Sequence, residues 1–281
     1  MDIDNWDRHW DEYAASAESN PAQRFRRRLV RSVIAESMAR GRGRILDLGS
    51  GQGDLAAELV RDFPNAEVLG VELSEAGVRI ASRKVLQATF LQQDLLQRVP
   101  WNSPYRAWAE FAVCSEVLEH LDDPVLFLKN SAALMSPGCK LIVTVPGGPM
   151  SAFDKHIGHR RHFSRLDLTR VLEDAGFPVV TVQASGYPFF NLYRRVVILR
   201  GAALIQDVSS RPNVLARWSS EALMALFRLL FTMNKATGSR GWQMLAVAQW
   251  PGGETHAAFE YGTSVEESLS GPNSQVVRSL K

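Results

Sequence analysis

The residues of this chain with the clearest chemical potential form a glycine-rich loop after a short apolar segment. The loop is I-L-D-L-G-S-G-Q-G, Ile45 to Gly53, and it joins a predicted strand to a predicted helix. Gly49 and Gly51 let the backbone turn sharply and approach a ligand, because no Cβ stands in the way. The spacing is G-x-G-x-G rather than the dinucleotide G-x-G-x-x-G. Asp47 precedes it, and an acid there suits a cofactor that carries an ammonium group better than one that carries a pyrophosphate.

Two further acids end the next two predicted strands. Glu72 ends V-L-G-V-E, where its carboxylate can accept both hydroxyls of a ribose. Asp94, in L-Q-Q-D-L, can accept a hydrogen bond from an adenine amino group. Acids at successive strand ends would meet at one edge of a parallel sheet, where open α/β sheets bind ligands. For each acid taken singly, solvation at the surface or capping of a helix is the alternative.

The elements that must position these residues alternate along the chain between strands and helices. Strands that alternate with helices predict βαβ units and a mostly parallel sheet with helices on both faces, a Rossmann-like α/β fold. The seven predicted strands contain R-I-L-D-L, A-E-V-L-G-V, A-T-F-L-Q-Q, E-F-A-V-C-S, K-L-I-V-T-V, V-V-T-V-Q-A and W-Q-M-L-A-V-A-Q-W.

With these motifs in place, the chain resembles the class I methyltransferases that use S-adenosylmethionine (SAM). D-L-G-S-G-Q-G is similar to their first motif, V-E-L-S to their second and Q-Q-D-L-L to their third, and the resemblance covers Arg44 to Trp250. It implies a seven-stranded sheet whose last strand is antiparallel. It also implies SAM as the cofactor, in a pocket formed by Asp47, Gly49, Ser50, Gly51, Gly53, Glu72, Leu73, Asp94, Leu95 and Ser115.

The fourth strand leads into C-S-E-V-L-E-H-L-D-D-P, which in related enzymes faces the transferred methyl group. E-V-L-E-H resembles the ubiquinone-pathway O-methyltransferases and the E-x-x-E-H of small-RNA 3′-terminal 2′-O-methyltransferases. The resemblance implies a metal site at Glu116, Glu119 and His120, and such ligands would suit Mg²⁺ or Mn²⁺. The alternative is that Glu119 caps a helix or forms an ion pair, and that His120 is a base or a packing residue.

A histidine-rich loop, F-D-K-H-I-G-H-R-R-H-F-S, follows the fifth strand and enters the predicted acceptor side of the sheet. His156, His159 or His162 would complete a metal site, act as a base or bind an anionic acceptor group. A structural loop held by its own polar contacts is the alternative. Together with this loop, E-V-L-E-H gives Glu116, His120 and His159 as the candidate catalytic residues.

The chain is predicted to have three parts. Residues 1–43 form an N-terminal helical arm, 44–250 the methyltransferase domain, and 251–281, polar and rich in Gly and Ser, a disordered tail. The arm's helix is predicted to begin at Asn20-Pro21 and to end at Gly41 to Gly43. We interpret its basic residues as a solvated face, with a phosphate or membrane contact as the alternative; they are Arg24, Arg26, Arg27, Arg28 and Arg31.

A long insertion at 186–240 separates the last two strands and is apolar with scattered arginines. We expect a helical cap there. It would act as a lid or dimer surface, or as a membrane-facing or substrate-binding cap, since large apolar faces need a partner.

Composition limits the classes of function. A net charge of +2 gives little support to a nucleic-acid partner. Cys114 and Cys139 lie in apolar runs and are expected to be buried thiols. With no signal peptide or spanning segment in the sequence, we expect a cytoplasmic protein, with membrane association as an option.

The predicted reaction is O-methylation of a small, hydrophobic or lipid-like acceptor. Methylation of RNA, or of nitrogen or carbon in a small molecule, is the alternative, and a binding protein without activity is a rival of another class. A nicotinamide dehydrogenase is disfavoured by the glycine spacing.

Overall fold

The seven predicted strands form one sheet in the computed structural model, which describes residues 6–7, 20–38, 41–209, 223–234 and 238–252. The strand order is β3-β2-β1-β4-β5-β7-β6, with β7 antiparallel to both of its neighbours and the other pairs parallel. The strands are β1 Arg42–Leu48, β2 Asn65–Glu72, β3 Thr89–Gln92, β4 Ala109–Ser115, β5 Met135–Pro146, β6 Val179–Ser185 and β7 Gln243–Gln249. The Rossmann-like fold predicted from the sequence is confirmed.

Helices cover both faces of this sheet, as the alternating pattern predicts. They are α1 Pro21–Ser37, α2 Asp54–Asp62, α3 Glu75–Lys84, α4 Pro124–Ser131, α5 Ala152–His156, α6 Arg165–Asp174, α7 Phe189–Ser209 and α8 at 223–230. Short 3₁₀ turns lie at Leu118–His120, Ala132–Leu134 and Phe231–Met233. Local chemistry fixes several helix starts, because Asn20, Ser74, Asp123, Ser151 and Ser164 each accept a hydrogen bond from a backbone amide of the first turn.

The apolar core is divided by the sheet into two clusters. One contains Leu118 and Leu128 with the inward side chains of α4 and α6. The other joins α1, α2, α7 and α8, and includes Phe25, Ile34 and Phe231. The switch in strand order lies between β1 and β4, so that loops leaving these adjacent strands diverge and open a crevice at their carboxyl ends.

The first long helix is part of this core. It begins at Pro21 with Asn20 as its cap, as predicted, but it ends at Ser37, and Gly43 already belongs to β1. The interpretation of its arginines as a solvated face is wrong for Arg26 and Arg27, which are 8% and 7% exposed and form ion pairs. Arg27 reaches the Glu58 carboxylate of α2 at 2.8 Å, so this basic surface ties the helix to the domain.

The insertion between β6 and β7 contains helices α7 and α8 and the 3₁₀ turn Phe231–Met233, while residues 186–188, 234 and 238–240 are not helical. Aromatic side chains join α7 to α8, with the Tyr193 and Phe227 ring centroids 5.2 Å apart. Residues 210–222 and the predicted tail beyond Gly252 lie outside the described residues. Among the helices that are described, none combines the length and apolar character needed to cross a bilayer. Both cysteines are buried free thiols, as expected.

Candidate active site

The glycine-rich loop turns at the carboxyl end of β1. Gly49 has a φ of +70°, and a Cβ there would lie 2.5 Å from a methyl carbon of Val117. Gly53, with a φ of +79°, caps α2 in the left-handed conformation. The amides of Gly49 and Ser50 both point to the Val71 carbonyl of β2, at 2.8 and 3.2 Å. Glycine is therefore required by backbone conformation and by close packing at once.

Glu72 ends β2 and faces this loop. Its carboxylate accepts hydrogen bonds from the Gly51 amide at 2.8 Å and from the Ser74 amide at 2.9 Å. Burial raises the pKa of Glu72, while these amide hydrogen bonds act in the opposite direction by stabilising the carboxylate. Each oxygen keeps a second lone pair, so the oriented carboxylate can still accept hydroxyls from a ligand.

Asp47 lies behind the loop and is buried, with 2% of its surface exposed. Burial, followed by the nearby charge of Glu72, raises its pKa to about 7. Its Oδ2 atom has no hydrogen-bond partner among the described residues. A buried carboxyl oxygen without a partner is costly, and a cationic group of a ligand would relieve that cost.

A pocket opens beside Glu72. It is lined by five of the ten residues predicted for the cofactor, namely Gly49, Glu72, Leu73, Asp94 and Leu95. The other wall residues are Trp6, Val71, Gln93, Leu96, Glu116, Val117, His120, Leu121 and Phe127. Asp47, Ser50, Gly51, Gly53 and Ser115 do not line it, and Ser115 instead shares a hydrogen bond of 2.8 Å with Thr144. Cofactor binding by these ten residues stays a prediction.

Trp6 also lines the pocket, and no pattern in the sequence predicts it there. Its ring meets the His120 ring edge to face, with centroids 4.9 Å apart. The adjacent Asp7 accepts hydrogen bonds from the Ser74 hydroxyl at 2.6 Å and the Ala76 amide at 3.0 Å. Hydrogen bonding, first from Ser74, lowers the pKa of Asp7. Asp7 thus attaches the N-terminal segment to the start of α3, a contact for which no local pattern exists.

Glu116 follows β4 in a left-handed conformation, with a φ of +59°. Such a conformation is strained for a residue with a Cβ and persists only where the surroundings hold it. The Arg26 guanidinium contacts the Glu116 carboxylate at 2.9 Å, and the Gln243 amide donates to it at 2.8 Å. Arg26 also donates to Gln243 at 2.8 Å. Residues from α1 and β7 therefore fix Glu116 at the pocket wall.

Glu119 and His120 lie one turn further on. Glu119 is fully buried, and neither carboxyl oxygen has a hydrogen-bond partner among the described residues. Burial, with the charge of Glu116 second, raises its pKa well above the usual range. The His120 and His159 ring centroids are 4.7 Å apart, so the histidine-rich loop reaches this turn. Arg160 fastens the two segments by donating to the His120 carbonyl at 2.5 Å.

A directional chain of hydrogen bonds runs through two of the loop histidines. His162 Nδ1 lies 3.0 Å from the Gly148 carbonyl, which can only accept, so this nitrogen carries the hydrogen. Burial lowers the pKa of His162, so the ring is neutral and its Nε2 is an acceptor. His159 Nδ1, 3.2 Å away, must then donate to it. The lone pair of His159 is consequently on Nε2, and burial together with the charge of His120 keeps its pKa low.

Asp154, which is buried within the same histidine-rich loop, stabilises it through side-chain contacts. Arg194 of α7 donates to both of its carboxylate oxygens, at 2.9 and 2.7 Å, and Ser151 forms a capping box with it. Burial alone would raise the pKa of Asp154, but the Arg194 and Ser151 hydrogen bonds outweigh it and hold the pKa below its usual value. His156 is exposed at the end of α5 and stands apart from His159 and His162.

The three residues predicted to hold a metal do not form one group in the structure. Glu116 is occupied by Arg26 and Gln243, whereas ligand atoms of Glu119, His120 and His159 lie within 4.8 Å of one another. The orphaned Glu119 carboxyl fits a cation, and a set with two imidazoles suits a transition metal better than Mg²⁺. A metal at Glu116, Glu119 and His120, with Mg²⁺ as the ion, stays a prediction.

The sheet order, the glycine loop and the acids at successive strand ends define a class I methyltransferase. A methyltransferase-domain family matches residues 22–182, more than half of the chain, and the chain belongs to that family. The predicted resemblance to SAM-dependent methyltransferases is thereby confirmed.

Curated relatives come from quinone biosynthesis. The chain is 31% identical over 149 residues to the ubiquinone/menaquinone biosynthesis C-methyltransferase UbiE of Syntrophotalea carbinolica, with 52% of this chain and 60% of that protein covered. It is 29% identical over 124 residues to the ubiquinone biosynthesis O-methyltransferase of Xanthomonas axonopodis, with coverages of 44% and 51%. The chain thus spans about half the length of these relatives.

Solved structures share the fold at low sequence identity. Phosphoethanolamine N-methyltransferase 2 of Haemonchus contortus, in complex with SAM, has a TM-score of 0.52 and 16% identity, with 80% of this chain and 52% of that chain covered. The [4+2]-cyclase SpnF has a TM-score of 0.55 and 19% identity, with coverages of 81% and 82%. At these identities the likeness concerns the fold alone, and proteins with different reactions share it.

Proposed function

We propose that this protein transfers a methyl group from SAM to a hydroxyl oxygen of a small, hydrophobic or lipid-like acceptor. The observation that carries the proposal is the His159 ring, which contacts His120 at the pocket wall and is held by His162 in the tautomer whose Nε2 can accept a proton. A hydroxyl acceptor must lose its proton during methyl transfer. Burial lowers the pKa of His159 and weakens it as a base, while the Asp154 carboxylate acts in the opposite direction, so the imidazole would take the proton with that carboxylate stabilising the imidazolium.

The cofactor side of the proposal rests on two acids of the pocket wall, Glu72 and Asp94, and on Asp47 behind the glycine-rich loop. Glu72, oriented by the Gly51 and Ser74 amides, would hold the ribose hydroxyls. Asp94 would accept from the adenine amino group, and Asp47, whose Oδ2 has no hydrogen-bond partner among the described residues, would face the ammonium group. Bound SAM supplies an electrophilic methyl group on a sulfonium centre. The chain's own contribution is to align the acceptor oxygen with it, and such positioning accounts for much of the acceleration.

The hydrogen bonds that join His159 to His162 provide a way to remove the proton of the acceptor hydroxyl. The acceptor hydroxyl would pass its proton to His159 Nε2, while the hydrogen on Nδ1 remains in the bond to His162. The Asp154 carboxylate, 3.8 Å from His162 Nε2, would stabilise the positive charge that this pair acquires. Arg194 and Ser151 keep Asp154 ionised and oriented for this purpose.

The names of the relatives support a hydrophobic acceptor, but they differ in the atom that is methylated. One printed name describes a C-methyltransferase and another an O-methyltransferase, both of ubiquinone biosynthesis. The histidine chain favours oxygen for this protein, because a catechol or phenol hydroxyl needs a base close to the methyl donor.

The test uses methyl transfer from radiolabelled SAM to a 4-alkylcatechol, with the product's methylated atom identified by NMR. We expect an O-methyl ether from the wild-type protein. H159N should lower the rate at least 100-fold and leave binding of S-adenosylhomocysteine unchanged, because a base contributes about 10²–10⁴-fold. H156N is the matched control from the same loop and should stay within twofold. A C-methyl product, or full activity in H159N, would refute the proposal.

A metal-assisted reaction is the second candidate, favoured by the orphaned carboxyl of Glu119. Glu119, His120 and His159 would then hold a divalent cation that lowers the pKa of the acceptor hydroxyl. The two candidates differ in one assay. Activity that EDTA abolishes and Mn²⁺ restores, together with loss of Mn²⁺ binding in Glu119→Gln, would favour the metal. Activity that is unchanged in EDTA would favour the imidazole base.

A further inference from the structure

Part of the pocket wall is formed by Trp6, which the proposed reaction does not use. Trp6 lines the pocket with Glu72 and His120, and it is partly buried. Its ring lies edge to face with the His120 ring, with centroids 4.9 Å apart. An indole buries a large apolar area with little loss of side-chain freedom, because tryptophan has only two side-chain torsions. Trp6 is therefore suited to contact a ligand of this pocket.

The next residue, Asp7, fixes this segment at the start of α3. Its Oδ1 atom accepts hydrogen bonds from the Ser74 hydroxyl at 2.6 Å and from the Ala76 amide at 3.0 Å. The Ser74 hydroxyl has one hydrogen, which it donates to Asp7, while its oxygen accepts from the Gly77 amide at 3.0 Å. Every donor and acceptor in this group has one defined role, so the orientation of Asp7 is defined as well.

Ser74 connects the attachment of Asp7 to Glu72. The Ser74 amide donates to Glu72 Oε1 at 2.9 Å, and the Gly51 amide donates to Oε2 at 2.8 Å. Ser74 thus binds Glu72 through its backbone and Asp7 through its side chain. Because Trp6 contacts His120, the two N-terminal residues join the start of α3, beside Glu72, to the turn after β4.

We propose that Trp6 is a binding residue of the cofactor pocket, with its indole packed against the bound cofactor, and that Asp7 is the positioning residue that holds it there. The inference rests on the proposed function, in which this pocket holds SAM, and it adds two residues to that site. A pocket residue that is already held in place need not be ordered when the ligand binds, and this favours affinity. A role for Trp6 in stability alone would leave cofactor affinity unchanged.

The test is calorimetric binding of S-adenosylhomocysteine by variants of both residues in the full chain. W6L should raise the Kd about tenfold, whereas W6F should raise it about twofold, because phenylalanine keeps an aromatic face. D7A should raise the Kd about fivefold, because the hydrogen bonds that hold the segment are lost. D7N should bind nearly as the wild type does, since its side-chain oxygen can still accept both hydrogen bonds.

Two matched controls change residues of the same types away from the pocket. W101L alters a tryptophan that is 86% exposed. D167A removes an acid that, like Asp7, accepts from a serine hydroxyl at a helix start, here from Ser164 at 2.6 Å. Both variants should bind S-adenosylhomocysteine as the wild type does.

Fluorescence quenching by acrylamide reports the position of Trp6 itself. The Trp6 signal is the difference between the wild type and W6F, and we expect S-adenosylhomocysteine to protect it from quenching. The same difference between D7A and W6F/D7A should show less protection, because the indole is no longer held at the pocket. A purely structural role of Asp7 would leave this protection as it is in the wild type.

Unchanged affinity in W6L and D7A, with a wild-type chain that binds S-adenosylhomocysteine, would overturn the inference and leave the cofactor pocket intact. Equal weakening in W101L and D167A would overturn it as well, because the effect would not belong to the N-terminal segment. Absence of binding by the wild-type chain would contradict the cofactor pocket itself, and the inference with it. Thermal unfolding followed by circular dichroism separates lost binding from lost fold, and D7A provides the measurement if W6L does not fold.

Discussion

Asp47 is a residue of this site whose burial lowers the stability of the folded protein. Its carboxyl is enclosed behind the glycine loop, with Glu72 as a charged neighbour and no hydrogen-bond partner for Oδ2 among the described residues. Burial of an ionisable group without a partner favours its neutral form. The same features prepare it to meet a cationic ligand group, so binding and stability oppose each other at this residue.

The pH dependence of stability follows from the direction of this shift. The folded-state pKa of Asp47, about 7, lies above the 3.8 of an unperturbed aspartate. Its contribution is fully present below about pH 4 and is lost as the pH rises through 7, since the unfolded chain ionises first. D47N removes this loss. We expect urea unfolding to show D47N gaining about 2 kcal/mol relative to wild type between pH 5 and 8.

Glu67→Gln is the control for this measurement, because Glu67 is an exposed acid of the neighbouring strand. It should change the free energy of unfolding by less than about 0.5 kcal/mol at either pH. A D47N protein that follows the wild-type pH dependence would show that Asp47 is ionised throughout this range in the folded state.

At the scale of elements, α1 is the part that the sequence described least well. Its start and amphipathic apolar side were predictable from Asn20-Pro21 and from the helical spacing that begins at Phe25. The role of Arg26 was not, because its partners Glu116 and Gln243 lie on two distant elements. A local pattern contains no information on such pairs, which depend on how the helix is seated on the sheet.

Substitution of Arg26 tests whether α1 is structural. R26Q leaves the buried Glu116 carboxylate without its cation, and we expect unfolding in urea to show a loss of about 3 kcal/mol. R24Q, at an exposed position of the same helix, should cost less than about 0.5 kcal/mol. The double variant R26Q/E116Q should recover part of the loss, since no unpaired charge remains. Equal stabilities of R26Q and R24Q would contradict this account.

At the scale of the whole molecule, the sheet was predictable and the site was predictable in part. Each strand is a short apolar run between turn signals, and the acids lie at or just beyond the carboxyl ends of β1, β2 and β3, so their common edge can be derived from the sequence. Trp6 at the pocket wall and the His159–His162 contact required tertiary information. The histidine-rich loop was recognised by composition, but only the structure separates His156 from the other two.

The most direct measurement of the central claim is calorimetric titration of the full chain with S-adenosylhomocysteine. We predict one site per chain, weakened at least tenfold in Glu72→Ala, because the carboxylate oriented by Gly51 and Ser74 would be lost. Glu67→Ala, on the same strand but exposed, should bind as the wild type does. Absence of binding by the wild-type chain, or equal affinity in Glu72→Ala, would contradict the assignment of this pocket to the cofactor.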